Sequence, residues 1–214
     1  PLGRWKPLAI VFTWLYIFVS FVMPLLILMW ASIQPYFGTL SRAALKRVTF
    51  SSYHKTLSSD LFTAALKNTI VVGLAAAAGS MILAMLVSWI IVRSRSRFRW
   101  AADVLAFMPH AIPGVVIGLA TLLIYLLLPL PIYGTIWIIV IAMGTQYVSL
   151  GTRLTTGGIA QIQRSLEEAA ETSGGKARHV WQHVLVPLLR SVFLNGFLLV
   201  FLASIQNLTL PLML

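Results

Sequence analysis

The sequence predicts an all-α, polytopic membrane protein. Three observations carry that expectation. The run Leu8 to Trp30 holds 23 residues without a charge, enough for a helix to cross a hydrocarbon core of about 30 Å. Further apolar runs follow, so that 59% of the 214 residues are hydrophobic and 10% charged, with a mean hydropathy of +0.90. The Lys and Arg residues behind the net charge of +11 sit at the flanks of those runs. There they read as topology signals and headgroup contacts rather than as a face for nucleic acid.

Five spans are expected within a single domain over 1–214, taken in order. The first is Leu8–Trp30, preceded by Arg4 and Lys6, with Pro24 kinking it or marking its exit. Residues 31–67 are polar and rich in turn formers. The second span runs from about 68 to 92; its Gly73, Ala75 to Ala78 and Gly79 form a small-residue face that lets another helix approach. Arg93, Arg95, Arg97 and Arg99 alternate in a short basic loop. The third span, about 104–128, contains Pro109 and Pro113, so a kinked or locally opened helix is predicted. Such breaks at membrane depth are tolerated against protein or a water-filled cavity. A fourth span covers about 135–151, with Gln146 and Tyr147 in its second half. The fifth covers about 188–204, before Gln206, Asn207 and Pro211. A sixth helix is expected beyond Leu214, in a longer chain.

Between the fourth and fifth spans lies the one long charge-dense stretch, Leu166 to Pro187. It contains all three glutamates, Glu167, Glu168 and Glu171, with Lys176 and Arg178 behind them. Gly174 and Gly175 can end a helix there, because glycine enters the left-handed region without steric cost. Pro187 suits the first turn of the next helix. Helix, break, short helix and a new span is the local expectation: a polar hairpin that offers a docking surface.

These residues carry a resemblance. Glu168-Ala169-Ala170, then Gly174, then Val184-Leu185-Val186-Pro187 nine residues further on is similar to the loop of ABC importer permeases written Glu-Ala-Ala, three residues, Gly, nine residues, Ile-x-Leu-Pro. Val184 and Val186 are the two departures. The chain thus resembles the inner-membrane permease subunit of a type I ABC importer along nearly its whole length. The Pro109 to Gly114 pattern looks like members that move ferric iron, polyamines, thiamine or phosphonates, and Asn207 to Leu214 looks most like the second half of two-repeat ferric iron permeases, where an acid commonly stands at Asn207. The resemblance implies a cytoplasmic coupling loop over 151–187, with Glu167, Glu168, Ala169, Ala170, Gly174, Arg178 and Pro187 as its docking residues. It implies as partners ABC ATPase subunits holding ATP and magnesium, a second permease half, and an external solute-binding protein. The substrate would be ferric iron or another small cation or organic solute.

Other classes are weaker. Gly175-Lys176 fails as a phosphate loop, because Ala170 stands where a glycine is needed and Ala177 where Ser or Thr would hold magnesium. No cofactor is expected in this chain. Five carboxylates, three in one loop, leave no acid–base pair for an intramembrane enzyme, and His179 and His183 lack an evident third metal ligand. A channel or scaffold without ATP coupling is the alternative reading. Irregular backbone and polar groups at membrane depth make His110, Gln146, Asn195 and Asn207 candidate pathway residues. Eleven of the sixteen Lys and Arg residues fall in 1–7, 93–100 and 151–190 and five in 31–67. That bias predicts a cytoplasmic N-terminus, and the resemblance implies the inner, cytoplasmic membrane.

Overall fold

The computed structural model describes residues 3–36, 38, 42–45, 47–128, 132, 134–172 and 180–214, with the side chains of residues 4, 42, 43, 167–169 and 171 excepted. The chain divides into two compact units, Pro1–Ala65 and Leu66–Leu214. Every regular element among the described residues is helical.

In the first unit, α1 (Lys6–Ile17) and α2 (Met23–Ser32) form one continuous apolar helix of 27 residues. They are joined by a π-turn over Phe18–Val22, in which Met23 N–H reaches back to Phe18 O. Pro24 has no N–H and crowds the carbonyl four residues earlier. The wider turn absorbs that conflict, so the helix continues through the expected kink. The polar stretch after it is not a plain loop. Two short helices, α3 (Arg42–Leu45) and α4 (Ser51–Leu57), fold back, and Tyr53 donates to Ser32 Oγ at 2.6 Å.

The second unit is built on α8 (Ile136–Gln161), with the long helix α5 (Asp60–Arg93) and α10 (Val186–Gln206) packed around it. Ala76, Ala77, Met81 and Ala84 of α5, Ala142, Met143 and Ile159 of α8, and Leu189 and Val200 of α10 are buried to 2% exposure or less. The small-residue face of α5 works as expected at Gly73, Ala76 and Ala77, which are buried, whereas Gly79 faces open space. Gly151 of α8 comes into close contact with α5. A Cβ there would stand 2.8 Å from Ala84 Cβ and 3.1 Å from Met81 Sδ.

The expected opening of the third span is found, and the end of the fourth is corrected. The third span is two helices, α6 (Phe98–Ala111) and α7 (Gly114–Leu127), bent by 106°. The two prolines behave differently. Pro109 stays inside α6, while Pro113 forces the residue before it out of the helical region, with Ile112 at φ −96°, ψ 125°. The fourth helix does not stop at 151. It runs to Gln161, so the first part of 151–187 continues α8.

Three helical stretches among the described residues are long and apolar enough to cross a membrane: Lys6–Ser32, Asp60–Arg93 and Trp181–Gln206. The bent pair α6–α7 would make a fourth. Despite its 26 residues, α8 is not among them, since Gln146, Ser149, Thr152, Arg153 and Thr155 dilute its hydropathy. Much of that polarity is turned inward, with Ser149, Thr152 and Thr155 at 2% exposure or less. A helix sheathed in protein has no need of a lipid-soluble surface on every side.

Candidate functional site

Two sets of residues stand along α8, one at its C-terminal end and one around its middle. The first surrounds the charge-dense loop. The helix α9 (Arg164–Thr172) begins just after α8 ends, and its backbone carries Glu167, Glu168, Ala169 and a half-buried Ala170. Gly174, Arg178 and His179 lie outside the described residues, and with them the expected helix break. The chain resumes at the buried Val180 and makes a π-turn over Trp181–Leu185, closed by Val186 N–H on Trp181 O. Pro187 takes the second position of α10, as expected from its missing N–H. The wide turn before Pro187 repeats the device seen before Pro24.

Below this loop, Ile159, Leu185 and Leu189 form a buried cluster, packed by Trp89, Val92, Ile162 and Trp181 among others. Trp89 and Trp181 are tilted rings with centroids 5.8 Å apart. Arg93, the last residue of α5, reaches across to the end of α8. Its Nη2 donates to Ile159 O at 3.3 Å and to Ile162 O at 2.9 Å. A guanidinium suits this position, because the last carbonyls of a helix lack intrahelical partners and carry partial negative charge. The sequence marked Arg93 only as one of four basic loop residues. Nothing in the alternating arginines sets it apart.

The second set gathers where helices are broken. Asn207 ends α10 in an extended conformation, ahead of the short α11 (Thr209–Met213). Its Nδ2 donates to Gln146 Oε1 at 3.2 Å and to Tyr147 OH at 3.0 Å, while its Oδ1 accepts from Leu210 N–H at 3.1 Å. Tyr147 in turn donates to Ala203 O at 2.9 Å. Gln146 also lies against the α6–α7 break: a Cβ on Gly114 would sit 3.2 Å from Gln146 Nε2. The glycine after Pro113 therefore admits the amide. Beside this knot opens a cleft of about 400 Å³, lined by Asn207 with Asn68, Thr69, Ser204 and Gln206 over an apolar floor that includes Val72 and Met143. Ser204 is 3% exposed, and its Oγ has no hydrogen-bond partner among the described residues.

The structure brings together two of the four expected pathway residues, Gln146 and Asn207. His110 lies elsewhere, exposed near the end of α6 and 5.3 Å from the Phe107 ring. Phe107 in turn lies under the Arg153 guanidinium at 4.4 Å, and Arg153 pairs with Asp103 at 3.1 Å. Both partners of that pair are well exposed, so it contributes little beyond aligning α6 with α8. Asn195 is exposed on α10. The sequence noted Tyr147 beside Gln146 without giving it a role. Ser204 had no signal, as one hydroxyl at the end of an apolar span.

Comparison with known proteins agrees with this architecture. Residues 70–214, nearly the whole second unit, match the family described as binding-protein-dependent transport system inner membrane component. A ferric transport system permease protein of Actinobacillus pleuropneumoniae is 27% identical over 150 residues, covering 70% of this chain and 22% of that protein. The putrescine transport system permease protein PotI of Escherichia coli K12 is 27% identical over 168 residues, covering 74% of this chain and 58% of that protein. The chain thus spans about a fifth of the length of the ferric permease and somewhat over half of the putrescine permease. In fold, it is similar to a chain from the crystal structure of a bacterial ABC transporter involved in the import of the acidic polysaccharide alginate. The TM-score is 0.73 at 16% identity, over 99% of this chain and 77% of that one. With a match over more than half its length, the chain belongs to the family of inner-membrane components of binding-protein-dependent transport systems.

Proposed function

We propose that this chain is a permease half of an ATP-driven ABC importer, with ATP and magnesium held by a separate ATPase rather than by any residue here. The observation that carries this reading is the placement of α9. A short helix with the Glu-Ala-Ala sequence stands between two helices of the matched domain, where a docked partner can push on both. A second permease half and a solute-binding protein complete the assembly, and the N-terminus faces the cytoplasm. The cargo is ferric iron or another small cation or organic solute, in line with the ferric and putrescine permeases to which the chain is similar. Gln146 and Asn207 are the favoured pathway residues, since they face each other beside a cleft; His110 and Asn195 stand apart from it.

The decisive experiment is purification of the full permease from its own membrane, followed by identification of what accompanies it. An ATPase subunit should come with it, and Glu168→Lys should weaken that association at least about tenfold through charge reversal at the dock. Recovery without an ATPase, or transport by Glu168→Lys equal to the parent, would return the chain to the class of channels and scaffolds. Orientation is tested separately: cysteines at Ser96 and Ser173 should stay unlabelled by an impermeant thiol reagent in intact cells.

A further inference from the structure

We propose that Arg93 is a positioning residue for energy coupling: its guanidinium locks the joint between α8 and α9, so that a push on α9 moves α5 and α8 together. The inference rests on the coupling reading above. Its geometry is independent of that reading. The joint is two residues long, Ile162 and Gln163, and Ile162 is extended at φ −81°, ψ 122°. A two-residue joint bends freely unless something holds it. Arg93 Nη2 spans it from outside, bonding Ile159 O within the last turn of α8 and Ile162 O beyond its end. Ile159 O otherwise takes only the Ile162 N–H, at 3.1 Å in a tightened last turn, and Ile162 O lies beyond the helix end; the arginine is half-buried, which limits competition from water.

The far side of the clamp is equally firm. Five residues before Arg93 on α5, Ser88 donates to Thr152 O at 3.0 Å and shares a 2.5 Å hydrogen bond with Thr155 Oγ1. Thr155 also reaches back to Ala84 O at 3.3 Å. With Gly151 against Ala84, α5 and α8 therefore move as one body. Ile162 is itself packed into the cluster of Ile159, Leu185 and Leu189, beside the Trp89–Trp181 pair. Displacement of α9 has two routes: bending at Ile162, or carriage of the whole α5–α8 pair. Arg93 closes the first. A rigid element with one permitted motion is what transmits a subunit movement to distant helices. Arg95, Arg97 and Arg99 are exposed and follow the end of α5; the joint is bridged by Arg93.

The test uses the full permease with its co-purified ATPase in proteoliposomes, comparing parent, Arg93→Ala, Arg93→Gln and Arg93→Lys. Three quantities are read: ATPase retained, the ratio of binding-protein-stimulated to basal ATP hydrolysis, and amide exchange over 159–172. Arg93→Ala should retain its ATPase within about twofold, while the stimulation ratio falls about tenfold and exchange at the joint accelerates by a similar factor. Arg93→Lys, which keeps a cationic donor, should recover most of both, and Arg93→Gln little of either. An unchanged ratio in Arg93→Ala overturns the inference. So does a variant that loses stability and ATPase together while each bound ATPase is stimulated normally, the signature of a merely structural cap. If Arg93→Ala does not insert, Arg93→Gln against Arg93→Lys decides by the same ratio. A parent chain that captures no ATPase would overturn the coupling reading and this inference with it. An unchanged ratio in Arg93→Ala, alongside a coupling defect in Glu168→Lys, overturns the inference alone.

Discussion

Two polar seams cross the interior of the second unit, about 14 Å apart along α8 at 1.5 Å per residue, and they are built on opposite principles. Around Ser88, Thr152, Thr155 and Thr156, short hydroxyls bond across two uninterrupted helices, each within reach of a carbonyl or another hydroxyl. The helices come close enough for this because Gly151 and Ala84 offer no bulk. Around Gln146, Tyr147 and Asn207, longer side chains tie the interior of α8 to the end of α10 at Gln206, beside the break between α6 and α7 at Pro113. This seam borders a cleft and leaves the Ser204 hydroxyl unpartnered. A seam of hydroxyls on continuous helices has one arrangement. A seam of amides at helix ends has several partners within reach, and can change which one it holds. The first suits a lever and the second a gate.

Four substitutions sharpen or break that contrast. The largest effect is expected at Gly151→Leu, since even a Cβ there meets Ala84 at 2.8 Å. Forcing the helices apart should cost about 1–3 kcal/mol, read as a lowered melting temperature in detergent. A variant that melts with the parent would show that the lever is not tightly closed.

Next comes Asn207→Ala, which removes bonds to Gln146, Tyr147 and the Leu210 amide. Transport should fall about tenfold while stability falls by no more than about 1–2 kcal/mol, since hydrogen bonds between membrane helices average only about 0.6 kcal/mol each. The reverse, a large loss of stability with normal transport per molecule, would make this seam structural like the other.

Ser88→Ala should do what Asn207→Ala does not. Losing its bonds to Thr152 and Thr155 costs about 1–2 kcal/mol, with transport per folded molecule unchanged. The smallest effect belongs to Ser204→Ala. Because its Oγ is buried without a partner, stability should stay within about 0.5 kcal/mol of the parent or rise slightly. A clear loss would reveal a bond that this seam makes in another arrangement.

How far the sequence reached depended on whether a residue's role is set by its neighbours in the chain. Three of the expected spans were legible because crossing a bilayer demands length and apolarity, both local properties of Leu8–Trp30, of α5 and of the stretch ending in α10. The helix carrying Glu168 and the place of Pro187 at the start of α10 were legible for the same kind of reason: helix formers and proline act on their own backbone. Gln146 and Asn207 were individually suspect as amides in apolar surroundings. Their partnership was not legible, because 61 residues separate them.

Sequence alone therefore determined the class of the molecule and the motif that marks its family, and it placed a break near Pro113 and a helix start near Pro187. It did not determine the angle at such a point. Pro109 and Pro113 look alike in sequence, yet one lies within α6 and the other precedes a 106° turn. The difference rests on the extended residue before Pro113 and on space for Gly114 beside Gln146. Tertiary structure also decided that α8 can carry polar residues inward, that Arg93 rather than its three neighbours bridges a joint, and that the Ser204 hydroxyl is buried without a partner among the described residues. Each of these depends on which backbone atoms from distant parts of the chain come within 3–4 Å of a side chain. Local propensity is written in consecutive residues; contact between helices is settled only when they pack.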